Sequence, residues 1–319
     1  MIDQSQQSFK MNENKFFKNF ILIGFMTLFH ALSSSAGKMQ NLWQNSTLES
    51  LFTRSYQKGV NYLAPTKNEQ GQAQKLFIKI LQNNSFDDEN KGSWQEIGFK
   101  IEKIKDGDNS YIVIRENPET KPAGRGFYII KTDNNSSNIL QAPHRPTDEQ
   151  THKIIFKMLL EGDYRAASWN TVTRKTIDLA KEPNSYFNAF TKAVAISFDQ
   201  PKIMQLHAFD AAAHEIDGDM ILSSTTYNPS LNYKNIADCL KSSNNFKNFK
   251  ILKFPYDIKE LGGTRNINAK LFYEQNPKAQ FFHIETSMRL RLALLNEEDL
   301  RNQFSQCFIK NFHWNLNNA

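Results

Sequence analysis

Three apolar runs in this chain stop on groups that can bind a cation or move a proton. Ile139-Leu-Gln-Ala-Pro-His144 stops on a Pro-His step, with Asp148 four residues further on. Ile203-Met-Gln-Leu-His207 stops on a second His, and Phe281-Phe-His-Ile-Glu285 on a Glu. Imidazole nitrogen and carboxylate oxygen are ligands that zinc takes in catalytic sites, three from the protein with one position left for water. His144, Asp148 and His207 supply such a set, and the short step from His144 to Asp148 lets both reach one ion from a single loop. Glu285 would then be the general base. Strand alternation puts Phe281, His283 and Glu285 on one face and Phe282 and Ile284 on the other. A carboxylate ending so apolar a strand needs a partner, because burying it unpaired is costly.

Each residue also has a plainer role. A lone strand-end His is commonly a hydrogen-bonded structural residue. Asp148 could cap a helix beginning near Glu149, and Glu149 could replace it as the ligand. Glu285 could pair with Arg289 or Arg291. The case for a site rests on the coincidence of the set.

The order of a His, a nearby acid, an Arg segment, a strand-end His and a strand-end Glu resembles the zinc carboxypeptidase superfamily. It is nearest the N-formylglutamate amidohydrolase and poly-γ-glutamate hydrolase branch. The matching pieces are Ala142-Pro-His-Arg-Pro-Thr-Asp-Glu-Gln-Thr151, Asn170-Thr-Val-Thr-Arg174 with Asp178, Gln205-Leu-His207 and Phe282-His-Ile-Glu285, within residues 125–292. Three residues separate His144 from Asp148, where carboxypeptidases proper have two. Thr151 follows the acid by three residues, as a Thr does in the poly-γ-glutamate hydrolase branch. The resemblance implies a phosphorylase/hydrolase-like α/β fold, one zinc ion and hydrolysis of an amide. It also implies that Arg174, helped by Asn170, holds a substrate carboxylate, a task suited to a planar guanidinium. The plainer reading of Arg174 is a surface pair with Asp178 at i+4.

Two further groups lie near these motifs. Arg265 sits in the glycine turn Leu261-Gly-Gly-Thr-Arg-Asn266 before the Glu285 strand and is a third substrate-binding candidate. His214, with Asp210 and Asp217, follows the His207 strand and is expected to line the mouth of the site. His152 opens a helix and is expected to be exposed.

The elements that position these groups can be read from hydrophobic period. Residues 43–83 have helical spacing, 83–93 read as a polar loop, and strands are expected at 111–114, 126–131 and 139–142. Strands and helices then alternate: helix 151–160, strand 165–170, helix 186–198, strands 202–209 and 220–223, helix 233–240, strands 250–254 and 280–285, helix 297–308. That alternation predicts a three-layer α/β fold with a mainly parallel central sheet and helices on both faces. Ligands in such sheets lie beyond the carboxyl ends of strands, which is where His144, His207 and Glu285 fall.

The N-terminus reads as a secretory signal. Lys10, Lys15 and Lys18 precede an apolar run from Phe20 to Leu32, and Ser34-Ser35-Ala36 offers a cleavage site before Gly37. This thirteen-residue run spans about 20 Å as a helix, short of the roughly 30 Å hydrocarbon core. The expected organisation is a signal at 1–36, an N-terminal helical extension with the first strands at 37–120, and an α/β catalytic-type domain at 121–319. A periplasmic or secreted protein follows, with no membrane contact after cleavage.

The 39 basic and 33 acidic residues are scattered, so no nucleic-acid surface is indicated. Cys239 and Cys307 are either a disulfide or two buried thiols. No CxxC, GxSxG, P-loop or Rossmann glycine pattern is present. The expected partner is a small amide or peptide substrate bearing a carboxylate. The alternative is a non-catalytic exported binding or host-interaction protein that keeps the hydrolase fold. An enzyme needs His144, His207 and Glu285 around one point, whereas a binding module does not.

Overall fold

The computed structural model describes residues 47–55 and 59–310. The expected signal at 1–36 lies outside them. The chain divides into Met1–Arg54 and Ser55–Ala319. In the first unit the described structure is helix α1 (Thr47–Thr53). All that follows concerns the second.

Among the described residues, nine strands form one sheet in the order β1-β2-β3-β5-β4-β6-β9-β7-β8. They are β1 (Phe99–Asp106), β2 (Asn109–Glu116), β3 (Phe127–Lys131), β4 (Asn138–Ala142), β5 (Ala166–Trp169), β6 (Lys202–Ala208), β7 (Met220–Ser223), β8 (Ile251–Lys253) and β9 (Gln280–Thr286). The α/β class is as expected. Parallel pairing holds the centre, β5-β4-β6-β9, and joins β7 to β8. The β1-β2-β3-β5 flank and the β7–β9 pair are antiparallel.

The helices are α2 (Lys67–Asn83), α3 (Asp88–Glu96), α4 (Thr151–Glu161), α5 (Tyr186–Ser197), α6 (Leu231–Ser242), α7 (Ile267–Gln275), α8 (Met288–Asn296) and α9 (Glu298–Lys310). One layer holds α2, α3, α5 and α7, and the other α4, α6, α8 and α9. Successive residues of β9 show the division. Phe281 packs on Phe272 of α7 at 6.2 Å between ring centroids, while Phe282 packs on Phe308 of α9 at 5.4 Å. Period-2 alternation sends them to opposite faces.

One expectation is corrected. Residues 88–96 form a helix rather than a polar loop. Asp87 caps it by accepting from the Asn90 amide at 2.8 Å, and it buries little besides Trp94, wedged between Phe77 and Phe99. A helix with one anchor has no apolar stripe to read. The charged stretch after Phe99 is edge strand β1, whose lysines, with Glu102 and Asp106, guard the edge of the sheet. Cys239 of α6 and Cys307 of α9 form a disulfide. No helix among the described residues is long and apolar enough to cross a membrane.

The winding of the centre explains where a site arises. From β4 the chain passes through α4, in one layer, to β5. From β5 it passes through α5, in the other layer, to β6, on the far side of β4. Connections therefore diverge between β4 and β6 and leave a crevice at their carboxyl ends. His144 and His207 stand at those two ends.

Candidate metal centre

His144 and Asp148 occupy the loop after β4, and the backbone closes on itself there, with Asp148 N donating to His144 O at 2.9 Å. The Asp148 carboxylate is tied to β6 by the Ala208 amide at 3.1 Å. Three basic atoms then converge. His144 Nδ1 lies 3.2 Å from Asp148 Oδ2, His207 Nδ1 lies 3.1 Å from His144 Nδ1, and His207 Nδ1 lies 3.5 Å from Asp148 Oδ2. A tetrahedral ion with bonds of about 2.0–2.2 Å separates its ligands by about 3.4 Å. The triangle has the dimensions of one face of that tetrahedron. All three residues are buried, and they form a metal-compatible cluster among the described residues.

The outer ring nitrogens point to the same conclusion. His144 Nε2 donates to Asp178 Oδ1 at 2.8 Å, and His207 Nε2 to Gln205 Oε1 at 2.8 Å. With protons on both outer nitrogens, neutral rings turn both Nδ1 lone pairs toward Asp148. Such a nest of lone pairs demands a cation, either a metal ion or a proton. The donor set and its spacing fit zinc.

Charge follows from the surroundings. Burial works against the Asp148 anion, but the hydrogen bonds to His144 and His207 outweigh it and hold the carboxyl well below its usual range. Burial likewise opposes a charged His144, yet Asp148 and Asp178 together raise its pKa. His207, pushed down to about 4 by burial and by the charge of His283, stays neutral.

Glu285 is the register partner of His207 across the parallel β6–β9 pair. Its Oε1 lies 3.3 Å from His283 Nε2, while its buried Oε2 has no partner among the described residues. Burial raises its pKa, but the His283 hydrogen bond and the charges of His207 and His283 prevail, and the carboxyl is held below its usual value. His144, His207, His283 and Glu285 line one open pocket of about 390 Å³, with Arg174, Lys181, Lys259 and Arg265 also in its wall.

No protein-family model matches the chain, and no curated protein matches it. Among solved structures, the chain is similar to the zinc-free apo form of YndL, at 15% identity over 55% of this chain and 84% of that one, with a TM-score of 0.34. It is similar also to a bacteriophage poly-γ-glutamate hydrolase, at 12% identity over 65% and 90% of the two chains, with a TM-score of 0.33.

The remaining sequence candidates fall in different places. Glu149 is exposed and outside the ligand cluster. Asp148 is no helix cap, since α4 begins after Gln150 with no side-chain cap. Arg289 pairs with Asp219 and Arg291 with the Thr286 carbonyl, leaving Glu285 to His283. Arg174 both lines the pocket and meets Asp178 at 3.3 Å. Asn170, fully buried just past β5, is not in the pocket wall, and neither of its amide atoms has a partner among the described residues. Arg265 is exposed on the pocket wall. His214 is exposed, 3.7 Å from Glu260 of that wall. His152 is buried rather than exposed. It turns inward because α4 packs on the sheet through a broad face that includes Thr151, His152 and Ile155.

Sequence reading passed over Asp178 as a partner of His144 and Gln205 as a partner of His207. The available signal was Gln205 itself, an amide two residues before His207 on the same strand face. Gly263 was also missed. Its φ of +62° and its approach to the His283 ring, where a Cβ would lie 2.7 Å from Cγ, call for glycine.

Proposed function

We propose that this chain is an exported, zinc-dependent amide hydrolase acting on a substrate that bears a carboxylate. The observation that carries the reading is the convergence of His144 Nδ1, Asp148 Oδ2 and His207 Nδ1 within 3.1–3.5 Å of one another, with His144 and His207 lining a pocket that Glu285 also lines. His144, Asp148 and His207 would hold the zinc, which when bound acidifies water and polarises a carbonyl.

Glu285 is the proton carrier in this reading. Its carboxyl is anionic at neutral pH, and its Oε2, without a partner among the described residues, would take a proton from an attacking water and return it to the leaving nitrogen. His283 keeps Oε1 oriented. Arg174, Lys181, Lys259 and Arg265 stand in the same wall as Asp178, Glu260 and Glu285 and could receive a substrate carboxylate, with Arg174 and Arg265 as the bidentate candidates. The Cys239–Cys307 disulfide suits an oxidising compartment and so supports export.

The test is to purify the exported chain without chelators, measure its metal, and assay amide cleavage. About one zinc per chain is expected, with activity lost on chelation and restored by zinc. A chain that takes up no metal even when zinc is added refutes the reading.

A further inference from the structure

Behind the candidate ligands lies a group of buried amides, with one hydroxyl, that the proposed chemistry leaves unused. Gln141 of β4, Asn188 and Thr191 of α5, Gln205 of β6, and Asn266 and Asn268 at the start of α7 are all buried. Polar groups so far from water are kept only where each one is satisfied. Here the satisfaction runs in one direction, because the chains of hydrogen bonds end on backbone groups that cannot reverse.

Thr191 gives its hydroxyl proton to the Phe187 carbonyl at 3.1 Å, so it can only accept from Gln141 Nε2 at 3.0 Å. Gln141 must therefore turn its oxygen to Gln205, whose Nε2 donates to it at 3.0 Å. A second chain agrees. Asn188 Nδ2 donates to the Glu182 carbonyl at 2.7 Å, and Asn268 Nδ2 donates to the Leu179 carbonyl at 3.1 Å and to Asn188 Oδ1 at 2.7 Å. Asn268 Oδ1 then faces Gln205 Nε2 at 2.9 Å. Both amide protons of Gln205 are thus committed. A third route closes from the other side. Asn266 Oδ1 accepts the backbone N–H groups of Asn268 and Ala269 as the cap of α7, so its Nδ2 donates to Gln205 Oε1 at 2.6 Å.

All three routes leave Gln205 Oε1 as an acceptor, and it lies 2.8 Å from His207 Nε2. An imidazole nitrogen facing a fixed acceptor must carry the proton, which leaves the lone pair on the other nitrogen. We propose that Gln205 is a positioning residue: held by the Gln141, Asn266 and Asn268 amides, it locks His207 with its proton on Nε2 and so presents Nδ1 as a ready metal ligand. This rests on the zinc reading above. It assigns to a neutral amide, set by its own backbone-anchored chains, the role that a carboxylate plays behind His144.

The test compares two variants of the full chain. Gln205→Leu removes the acceptor and both donors. Gln205→Glu also removes the donors to Gln141 and Asn268 but keeps an oxygen opposite His207. Zinc affinity, measured by competition with a chromophoric chelator, is expected to fall about 10–100-fold in Gln205→Leu and only a few-fold in Gln205→Glu. A purely structural amide would cost both variants alike, so equal losses, or an unchanged affinity in Gln205→Leu, overturn the inference. The ring 15N spectrum of His207 in the zinc-free wild type supplies a reading without metal. A proton on Nε2 supports the lock, and a proton on Nδ1 overturns it. A wild type that shows the Nε2 proton but binds no zinc refutes the metal reading while sustaining the lock.

Discussion

Asp178 joins two functional candidates: its Oδ1 accepts from His144 Nε2 at 2.8 Å, while its Oδ2 meets Arg174 Nη2 at 3.3 Å and Lys181 Nζ at 3.3 Å. The i+4 partner expected to occupy Arg174 is therefore also the group that orients a candidate ligand. Asp178→Ala should weaken zinc binding by about 10–100-fold, since such partners fix the ring and its tautomer. It should also leave Arg174 without its carboxylate. Chelator competition checks the first effect, and unchanged affinity would remove Asp178 from the site.

Glu285→Gln should lower amide hydrolysis by about 10²–10⁴-fold, the usual worth of a positioned proton carrier. Zinc content should not change, because Glu285 belongs to no ligand triangle. His283→Ala, which removes only the partner of Oε1, should cost less. Full activity in Glu285→Gln, or loss of metal with it, would contradict the assignment.

Gly263→Ala should destabilise the protein by roughly 2 kcal/mol, combining a left-handed backbone with overpacking. The added Cβ would meet the His283 ring at 2.7 Å. Because that ring holds Glu285, activity should drop more than thermal stability alone accounts for. An unchanged Tm and unchanged rate would mean that the turn yields freely.

Asp219 offers a pH-dependent test away from the pocket. It accepts from Arg289 Nε at 3.0 Å, Ser287 Oγ at 2.9 Å and Lys250 N at 2.9 Å. Burial raises its pKa, but the Arg289 and Lys250 hydrogen bonds prevail and lower it. The folded pKa thus lies below the unfolded value of about 3.9, so the stabilisation is present above that pH and is lost as pH falls through the folded pKa. Asp219→Asn should cost about 1–3 kcal/mol at neutral pH and progressively less in acid. Urea unfolding at pH 7 and pH 3 distinguishes this from a pH-independent loss.

The Cys239–Cys307 link closes a separation of 68 residues. Chain entropy assigns such a loop about 4 kcal/mol of stabilisation. Replacing both cysteines by Ser should lower stability by up to that amount while leaving zinc affinity intact, because the link joins α6 to α9 and touches none of the ligands. Coupled loss of zinc would show that the two regions are not independent.

Local pattern alone determined a good deal of this protein. Apolar runs ending in His144, His207 and Glu285, alternating with helical stretches such as 151–160 and 186–198, were enough to give an α/β sheet and a set of polar strand ends, because period and termination are properties of neighbouring residues. The helix at Asp88–Glu96 and the edge strand at Phe99–Asp106 escaped, since one holds by a cap and a single Trp and the other is charged where it faces water. What no spacing states is which strands become neighbours. Only the winding that puts β6 beside β4 and β9 beside β6 brings His144, 63 residues from His207, to 3.1 Å and sets Glu285 in register with His207. The choice of Asp148 over exposed Glu149, the second use of Asp178 and the setting of Gln205 likewise depend on partners distant in sequence. Hydrogen-bond direction is decided by the whole network at once, and a chain fixes that network only when it folds.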